Sequence, residues 1–310
     1  MKIIVGLFIN KRIATKEDID KYTRDMMTYV NSADKVLIFN ISGTTQDSFY
    51  SVLTRFKNVE YTTCPDYGEV GNYKLFMHQA VKEGFDYAIP MELDYYYHED
   101  TFLNLKRMLL EWKNELPCIL SPQPLFTCEE EKPSSIQYKE IMGCHLVGAF
   151  VNVKDYKESD GFDEIYYQTT FDYDYCLTQR SKGKHIYVSP CNIIRNRNFR
   201  ILERKILLLT ITSYEVGAYH LYYETRNRMY LWNKFKDIDP KYIKRDKKYQ
   251  RAELKEMRIC DRDYKEKRKI MILAKYDYSI GQMGKKFETV SFHQRSKVLQ
   301  DGTEKNEISD

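Results

Sequence analysis

The first half of the chain alternates short strand-like runs with segments of helical spacing, and this order limits the folds open to it. Five runs predict strands, and the first is continuously apolar, as expected of a strand buried on both faces. They lie at 3–8, 35–39, 59–63, 86–90 and 117–121. Helical spacing of apolar residues follows Thr15 and recurs at 71–84 and 101–114. This order predicts an α/β fold with a mostly parallel sheet and helices on both faces.

The second half is less regular. Runs at 145–153 and 185–188 predict strands, and 160–183 predicts a loop that enters a helix ending at Gly183. From about residue 201 the chain is predicted to be helical, and its last two dozen residues to be loosely structured. The sequence therefore predicts an α/β domain over 1–212, with halves 1–100 and 101–212, and a basic helical extension over 213–310.

Composition excludes several classes of protein. The 310 residues are 43% hydrophobic and 30% charged, enough for a sizeable folded core. A net charge of +4 is too small to indicate nucleic acid, and the basic segment 234–269 interleaves its bases with acids, so no nucleic-acid partner is predicted. Seven cysteines without a CxxC pair, and no recognisable signal peptide, favour reduced thiols and a cytoplasmic location.

Two carboxylates directly follow the fourth predicted strand. Glu92 and Asp94, two residues apart in an extended segment, point to the same side. Ligands of such sheets bind outside the carboxyl ends of the strands. The pair could hold one Mg²⁺ or Mn²⁺, since both ions prefer oxygen ligands. A solvated acidic turn is the alternative, and His98 is the one histidine predicted to lie near the pair.

Further motifs occur in a recognisable order over roughly residues 3–285. "LFINK" carries Asn10, "IFNISG" carries Asn40, and "DYGEVGNYK" carries Gly68 and Gly71. "MELD" follows, and then the long block "GAFVNVKDYKESDGFDEIYYQTTFDYDYCLTQR". In this order the motifs resemble the family 2 glycosyltransferases with the GT-A fold, specifically their bacterial rhamnosyltransferase-type branch. The resemblance implies a nucleotide-binding half joined to an acceptor-binding half.

The resemblance also implies roles for individual residues. Nucleotide-sugar binding falls to six of them: Asn10, Asn40, Gly68, Gly71, Lys74 and Arg197. Metal binding falls to Glu92 and Asp94. Arg197 or its neighbour stands where the family often has a histidine, and an arginine there could contact the donor diphosphate directly. The alternatives are that the asparagines stabilise turns and that Lys74 is a solvated surface residue.

Transfer of the sugar requires a base that takes the proton of the acceptor hydroxyl, and one carboxylate suffices for an inverting displacement. Asp172 corresponds to the catalytic residue of the family, and Asp174 is the second candidate. Both acids lie in the first predicted turn of a helix, where the helix dipole alone would favour them.

The resulting prediction is an inverting glycosyltransferase of bacterial surface polysaccharide, capsule or cell-wall synthesis. Its donor would be dTDP-rhamnose, a UDP-hexose or UDP-galactofuranose, and its acceptor a glycan or a lipid-linked glycan. The alternative is a non-catalytic nucleotide-sugar-binding protein of the same fold. The tyrosine-rich segment 213–236 is typical of a helix lying on an anionic membrane, which would place the protein at the inner face of the cell membrane. Packing against its own core or within a homo-oligomer is the rival interpretation.

Overall fold

The structure is a computed structural model that describes residues 1–126, 134–197, 200–207 and 209–287. The chain forms two compact units. The first takes residues 1–163 and 172–198, and the second takes 164–171 and the chain from 199 onward. The division thus lies near residue 198, whereas the sequence placed it at 212. The tail from residue 288, expected to be loosely structured, lies outside the described residues.

The first unit begins with a parallel sheet whose strands alternate with helices. In chain order its elements are β1 Ile3–Ile9, α1 Lys16–Met27, β2 Lys35–Asn40, α2 Asp47–Leu53, β3 Val59–Thr63, α3 Gly68–Glu83 and β4 Tyr87–Glu92. The strands lie in the order β3-β2-β1-β4, and each neighbouring pair is parallel. The predicted alternation of strands and helices is confirmed over this half, with α2 as an additional helix.

Local signals set the ends of these helices. The side chain of Thr15 accepts a hydrogen bond from the backbone N–H of Asp18 at 3.1 Å and so caps the start of α1. α3 ends at Gly84, whose φ of 71° is left-handed and favours glycine. Both ends agree with the sequence prediction.

The sheet continues with mostly antiparallel pairings. The next elements are β5 Tyr95–Tyr97, α4 Thr101–Leu110, β6 Ile119–Phe126, β7 Lys139–Glu140, β8 Phe150–Asn152, α5 Val153–Lys157, α6 Phe171–Ser181 and β9 Ile186–Asn196. Beyond β4 the order is β8-β6-β9-β5, and β7 also pairs with β9. The described residues place nine strands in this sheet. The strand predicted over 145–153 is limited to β8, and the strand predicted over 185–188 extends to Asn196.

Aromatic side chains fill the space between the parallel strands and α3. The ring of Phe8 stacks on Phe39 of β2 at 5.2 Å and on Tyr73 of α3 at 5.3 Å. A Cβ at Gly6 would lie 2.6 Å from the ring of Phe76, so glycine lets α3 approach β1. This packing fixes the carboxyl ends of β1 and β4 relative to the start of α3.

The second unit opens with a hairpin where helix was predicted. Its elements are β10 Ile201–Ile206, β11 Leu209–Tyr214, α7 Ala218–Phe235, α8 Pro240–Cys260 and α9 Tyr264–Ser279. β10 and β11 are antiparallel and paired along their whole length. The prediction of helix from residue 201 was therefore wrong up to residue 214. The β-branched run "LTIT" suits a strand, and helix begins only after Gly217.

The tyrosines of α7 form the core of the second unit. Tyr219, Tyr222 and Tyr223 are buried and pack with Ile270 and Ala274 of α9. They are therefore not available to contact a lipid surface, and the membrane contact predicted through 213–236 loses its main premise. The helix α7 instead packs in the core of the second unit. Within the described residues, no helix is both long and apolar enough to cross a membrane.

Candidate functional site

The order of strands reverses between β1 and β4, whose carboxyl ends lie side by side. From β1 the chain moves to β2 and β3 on one side, and β4 then returns to the other side of β1. β4 ends at Glu92, which is in register with Phe8 of β1. Open α/β sheets bind ligands outside such a reversal. Glu92 and Asp94 therefore lie at the edge of the sheet where a ligand is expected.

Asp94 is bound by a lysine that the sequence did not single out. Lys11, just after β1, donates from Nζ to Oδ1 and Oδ2 of Asp94 at 2.7 and 3.0 Å. The hydroxyl of Tyr22 in α1 donates to the same Oδ1 at 3.4 Å. Burial lowers the pKa of Lys11, but the hydrogen bond and charge of Asp94 outweigh it and raise the pKa above its usual value. The lysine therefore stays charged and neutralises Asp94, which is 8% exposed.

Glu92 holds a proton more tightly than an ordinary glutamate. Burial raises its pKa to about 7. A hydrogen bond from the hydroxyl of Tyr73, at 3.1 Å, lowers the pKa, whereas the charge of Asp94 raises it. The charge of His145 lowers it and that of Asp172 raises it, so all four side chains act on Glu92. Near neutral pH Glu92 therefore occurs both with and without its proton.

We expect Glu92→Gln to stabilise the ligand-free protein, and only at neutral and alkaline pH. The pKa of Glu92 is about 7 in the folded state against an ordinary value of 4.5. The folded state therefore binds the proton more tightly, and stability is lost as pH rises from 4.5 to 7. Glutamine avoids this loss. We expect a gain of about 2 kcal/mol in the free energy of unfolding at pH 8, after a discount for screening, and none at pH 4.

Guanidinium unfolding curves at the two pH values measure this gain. Glu111→Gln is the matched control, because Glu111 is an exposed glutamate of the same unit. Its effect should be small and independent of pH. Equal stability of Glu92→Gln and the wild type at pH 8 would contradict the raised pKa.

Asp172 and His145 form a second pair at the site. Asp172 lies in the first turn of α6, and its Oδ2 is 2.6 Å from Nδ1 of His145. The backbone N–H of Tyr173 donates to the other oxygen at 2.8 Å. The side chain of Asp172 is 5% exposed and that of His145 is 58% exposed, so the histidine is the solvent-facing member of the pair. A buried carboxylate beside an imidazole can accept a proton from a hydroxyl.

The two predicted bases differ in their surroundings. Asp174 is also buried, and its Oδ1 accepts a hydrogen bond from Thr178 of the next turn at 3.4 Å. Asp172 contacts His145, and its charge raises the pKa of Glu92 at the end of β4. His145 is the histidine that contacts Asp172, and Nε2 of His98, which was predicted to lie near Glu92 and Asp94, is 4.0 Å from Oε1 of Glu99.

Arg197 is next to Asp94 but its guanidinium binds other partners. Its backbone N–H donates to the carbonyl of Asp94 at 3.1 Å. The guanidinium donates to both carboxylate oxygens of Asp25 in α1, with Nη2 at 2.7 Å from Oδ1. It also stacks on the ring of Tyr96, 3.8 Å from the centroid. A donor diphosphate would have to compete with Asp25 for this arginine.

Asn40 has the turn-stabilising role that was its alternative. Its Oδ1 accepts from the hydroxyl of Ser42 at 2.7 Å, and its Nδ2 donates to the carbonyl of Thr44 at 2.7 Å. Gln46, 2% exposed, continues this network. Its Nε2 donates to the carbonyl of Lys11 at 2.9 Å. The turn after β2 therefore supports the loop that carries Lys11, a link that no local motif predicts.

The backbone conformation and close packing at the start of α3 favour glycine at two positions. Gly68 has a φ of 78°, and a Cβ at Gly71 would lie 2.6 Å from Cβ of Tyr67. Lys74 is half-buried on α3, and Asn10 is exposed directly after β1. These residues all lie at the carboxyl side of the parallel strands, where the nucleotide was predicted to bind.

The carboxylates are of the right chemistry for Mg²⁺ or Mn²⁺, but the ion would meet a competitor. Lys11 binds both oxygens of Asp94, and Glu92 has to lose a proton before it can bind a cation. Within the part of the chain that the structure describes, no three His, Cys, Asp or Glu side chains are grouped to hold a metal ion. An ion held by Glu92 and Asp94 would therefore need further ligands from a bound substrate or water.

A solved structure has a similar fold. The structure matches GalNAc-T7, crystallised with UDP, GalNAc and Mn²⁺, with a TM-score of 0.52 and 7% identity over 76% of this chain and 49% of that chain. S. aureus TarS gives a TM-score of 0.49 and 12% identity over 75% and 40% of the two chains. TarS 1–349 in complex with UDP-GlcNAc gives 0.47 and 11% over 96% and 79%. The match to GalNAc-T7 confirms the predicted GT-A-type sheet with flanking helices.

These likenesses concern the fold. The chain spans about half the length of the GalNAc-T7 chain that it matches. No protein-family model matches the sequence, and no curated protein matches it.

Proposed function

We propose that this protein is a glycosyltransferase that uses a nucleotide-diphosphate sugar. The observation that supports it most is the meeting of two charged pairs at the ligand edge of a GT-A-type sheet. Asp94 with Lys11 and Asp172 with His145 both act around Glu92. GalNAc-T7, which has the same fold, was crystallised with UDP and Mn²⁺, and this favours a nucleotide-sugar donor here too.

Negative charge builds up on the leaving diphosphate as the sugar–oxygen bond breaks. Positive charge nearby has to stabilise it. Lys11 supplies a permanent ammonium at the end of β1, beside Asp94. We propose that Glu92 and Asp94 bind Mg²⁺ or Mn²⁺ once the donor is present, because the phosphates then add oxygen ligands. The ion would supply further stabilisation of the diphosphate. Its binding requires Lys11 to release at least one oxygen of Asp94.

Asp172 is the proposed base. It takes the proton from the acceptor hydroxyl as that oxygen attacks the anomeric carbon, so the sugar is transferred with inversion. His145 stays hydrogen-bonded to Asp172 and keeps the carboxylate oriented. The proposed donors are dTDP-rhamnose, a UDP-hexose or UDP-galactofuranose, and the proposed acceptor is a bacterial surface glycan, free or lipid-linked.

A thermal-shift screen of UDP- and dTDP-sugars, with and without Mn²⁺, tests the donor. A ligand that binds the native state raises the melting temperature by mass action, and we expect this for one class of nucleotide. The donor found is then assayed for transfer and for hydrolysis. Binding with neither reaction would support the alternative, a nucleotide-sugar-binding protein without turnover. No shift with any nucleotide sugar would overturn the proposal.

We expect Lys11→Met to tighten Mn²⁺ binding about tenfold in the absence of nucleotide. The ammonium then no longer competes for the oxygens of Asp94, and a charge-assisted hydrogen bond of this kind is worth about 1.5 kcal/mol. Titration followed by the paramagnetic resonance of free Mn²⁺, at pH 8, measures the affinity. Lys57→Met is the control, because Lys57 is exposed and lies in the same unit. Unchanged or weaker binding to Lys11→Met would argue against Asp94 as a metal ligand.

A further inference from the structure

The tip of the β10–β11 hairpin exposes the most accessible apolar side chains of the described chain. Leu207 is 98% exposed and Leu209 is 71% exposed, and no other large apolar side chain among the described residues reaches these values. Ile206, 42% exposed, precedes them. Apolar side chains exposed together at one end of a hairpin indicate a contact surface.

The hairpin is anchored at its middle, and its tip extends beyond the anchor. Arg204 donates from Nη1 to the carbonyl of Ile259 in α8 at 2.7 Å. The Sγ of Cys260, the last residue of α8, contacts the carbonyl of Ile211 at 3.3 Å. Strand pairing continues past these contacts to Ile206 and Leu209. The paired strands thus carry the apolar tip beyond the contacts with α8.

Basic side chains lie directly behind the apolar tip. Arg204 and Lys205 are exposed and directly precede Ile206, and Glu203 is the one acid in the sequence from 201 to 214. Leucines with adjacent Arg and Lys are typical of segments that enter the interface of an anionic bilayer, because the apolar groups leave water while the cations contact lipid phosphates. The excess of positive charge favours a lipid surface of negative charge over a purely apolar protein pocket.

We propose that Ile206, Leu207 and Leu209 insert into the interfacial region of an anionic lipid bilayer, with Arg204 and Lys205 against the headgroup phosphates. The surface differs from the predicted membrane segment 213–236, whose tyrosines are buried in the second unit. The inference does not depend on the proposed transferase activity. It would bring the protein to a membrane whether or not the acceptor is lipid-linked.

Flotation of the full chain with vesicles tests the proposal. We expect the wild type to float with vesicles of phosphatidylcholine containing 30% phosphatidylglycerol, and far less with pure phosphatidylcholine. The double variant Leu207→Ser/Leu209→Ser should reduce the bound fraction at least tenfold. Leu110→Ser is the matched control, because Leu110 is an exposed leucine of the first unit, and it should float as the wild type does. All substituted leucines are exposed, so circular dichroism should report an unchanged fold.

A second measurement separates insertion from charge attraction alone. Leu207→Trp adds a tryptophan at the tip, and lipids brominated on the acyl chain should quench its fluorescence beyond the quenching seen for Trp112 and Trp232 of the wild type. Absence of this extra quenching, or flotation of the double variant at the level of the wild type, would overturn the proposal. Self-association of the wild type that the double variant loses, without binding to vesicles, would assign the tip to a second copy of the chain and would also overturn it.

Discussion

Asp172→Asn is expected to reduce sugar transfer by about three orders of magnitude while donor affinity stays within about threefold. A positioned general base contributes about 10²–10⁴ to the rate, and asparagine cannot accept the proton. Asparagine keeps one oxygen that accepts from the backbone N–H of Tyr173, and its amide NH2 can donate to Nδ1 of a neutral His145, so the start of α6 should keep its structure. Initial rates at saturating donor, together with donor titration by calorimetry, separate the loss of rate from any loss of binding.

Asp174→Asn is the matched variant for this prediction. Asp174 is buried in the same turn and contacts Thr178, so its substitution tests whether any lost acid at the start of α6 is damaging. We expect it to lower transfer less than tenfold. The reverse result, with full transfer by Asp172→Asn and its loss in Asp174→Asn, would assign the base to Asp174. Loss in both variants together with a lowered melting temperature would indicate a structural effect.

Sequence patterns predicted the parts of this fold that depend on near neighbours. Thr15 caps α1 through the amide of Asp18, three residues away, and Gly84 ends α3 through its own backbone freedom. The alternation of apolar runs and amphipathic helices likewise predicted the succession of strands and helices along the parallel half of the sheet. Each of these signals acts within a few residues, which is why a reading of the chain can find it.

The contacts that complete the candidate site join distant segments, and local patterns carry no signal for them. Lys11 reaches Asp94 across 83 positions, and Arg197 reaches Asp25 across 172. Both pairings follow from the order and register of the strands, which periodicity does not encode. His145 was missed because it precedes β8 in an irregular segment and meets Asp172 only through the fold. A lysine or histidine beside a strand end is the one sequence feature that could have raised these candidates.

The buried arginine of the second unit carries the largest expected effect on stability. Arg226 of α7 is fully buried, and its Nη2 donates to the carbonyl of Gly284 at 2.7 Å. Its guanidinium lies 5.2 Å and 5.0 Å from the ring centroids of Tyr222 and Tyr223. The hydroxyl of Tyr222 in turn donates to Asp277 of α9. Arg226 thus connects α7 with the segment that follows α9, and Tyr222 connects α7 with α9.

We expect Arg226→Met to lower the free energy of unfolding of the second unit by about 3–5 kcal/mol. Methionine fills most of the volume, but the carbonyl of Gly284 loses its donor and Asp277 loses a nearby positive charge, and breaking a buried network by removing one partner costs about this much. The two tryptophans, Trp112 and Trp232, lie in different units. In a Trp112→Phe background, the fluorescence of Trp232 therefore follows guanidinium unfolding of the second unit alone.

Lys255→Met is the control for this measurement, since Lys255 is exposed on α8 of the same unit. A surface substitution of this kind changes stability by less than about 0.5 kcal/mol. If Arg226→Met shifted the unfolding curve no more than Lys255→Met does, the guanidinium would be dispensable to the core. The buried tyrosines would then hold α7 on α9 by apolar packing alone, and the polar network would be a consequence of that packing and not a cause of it.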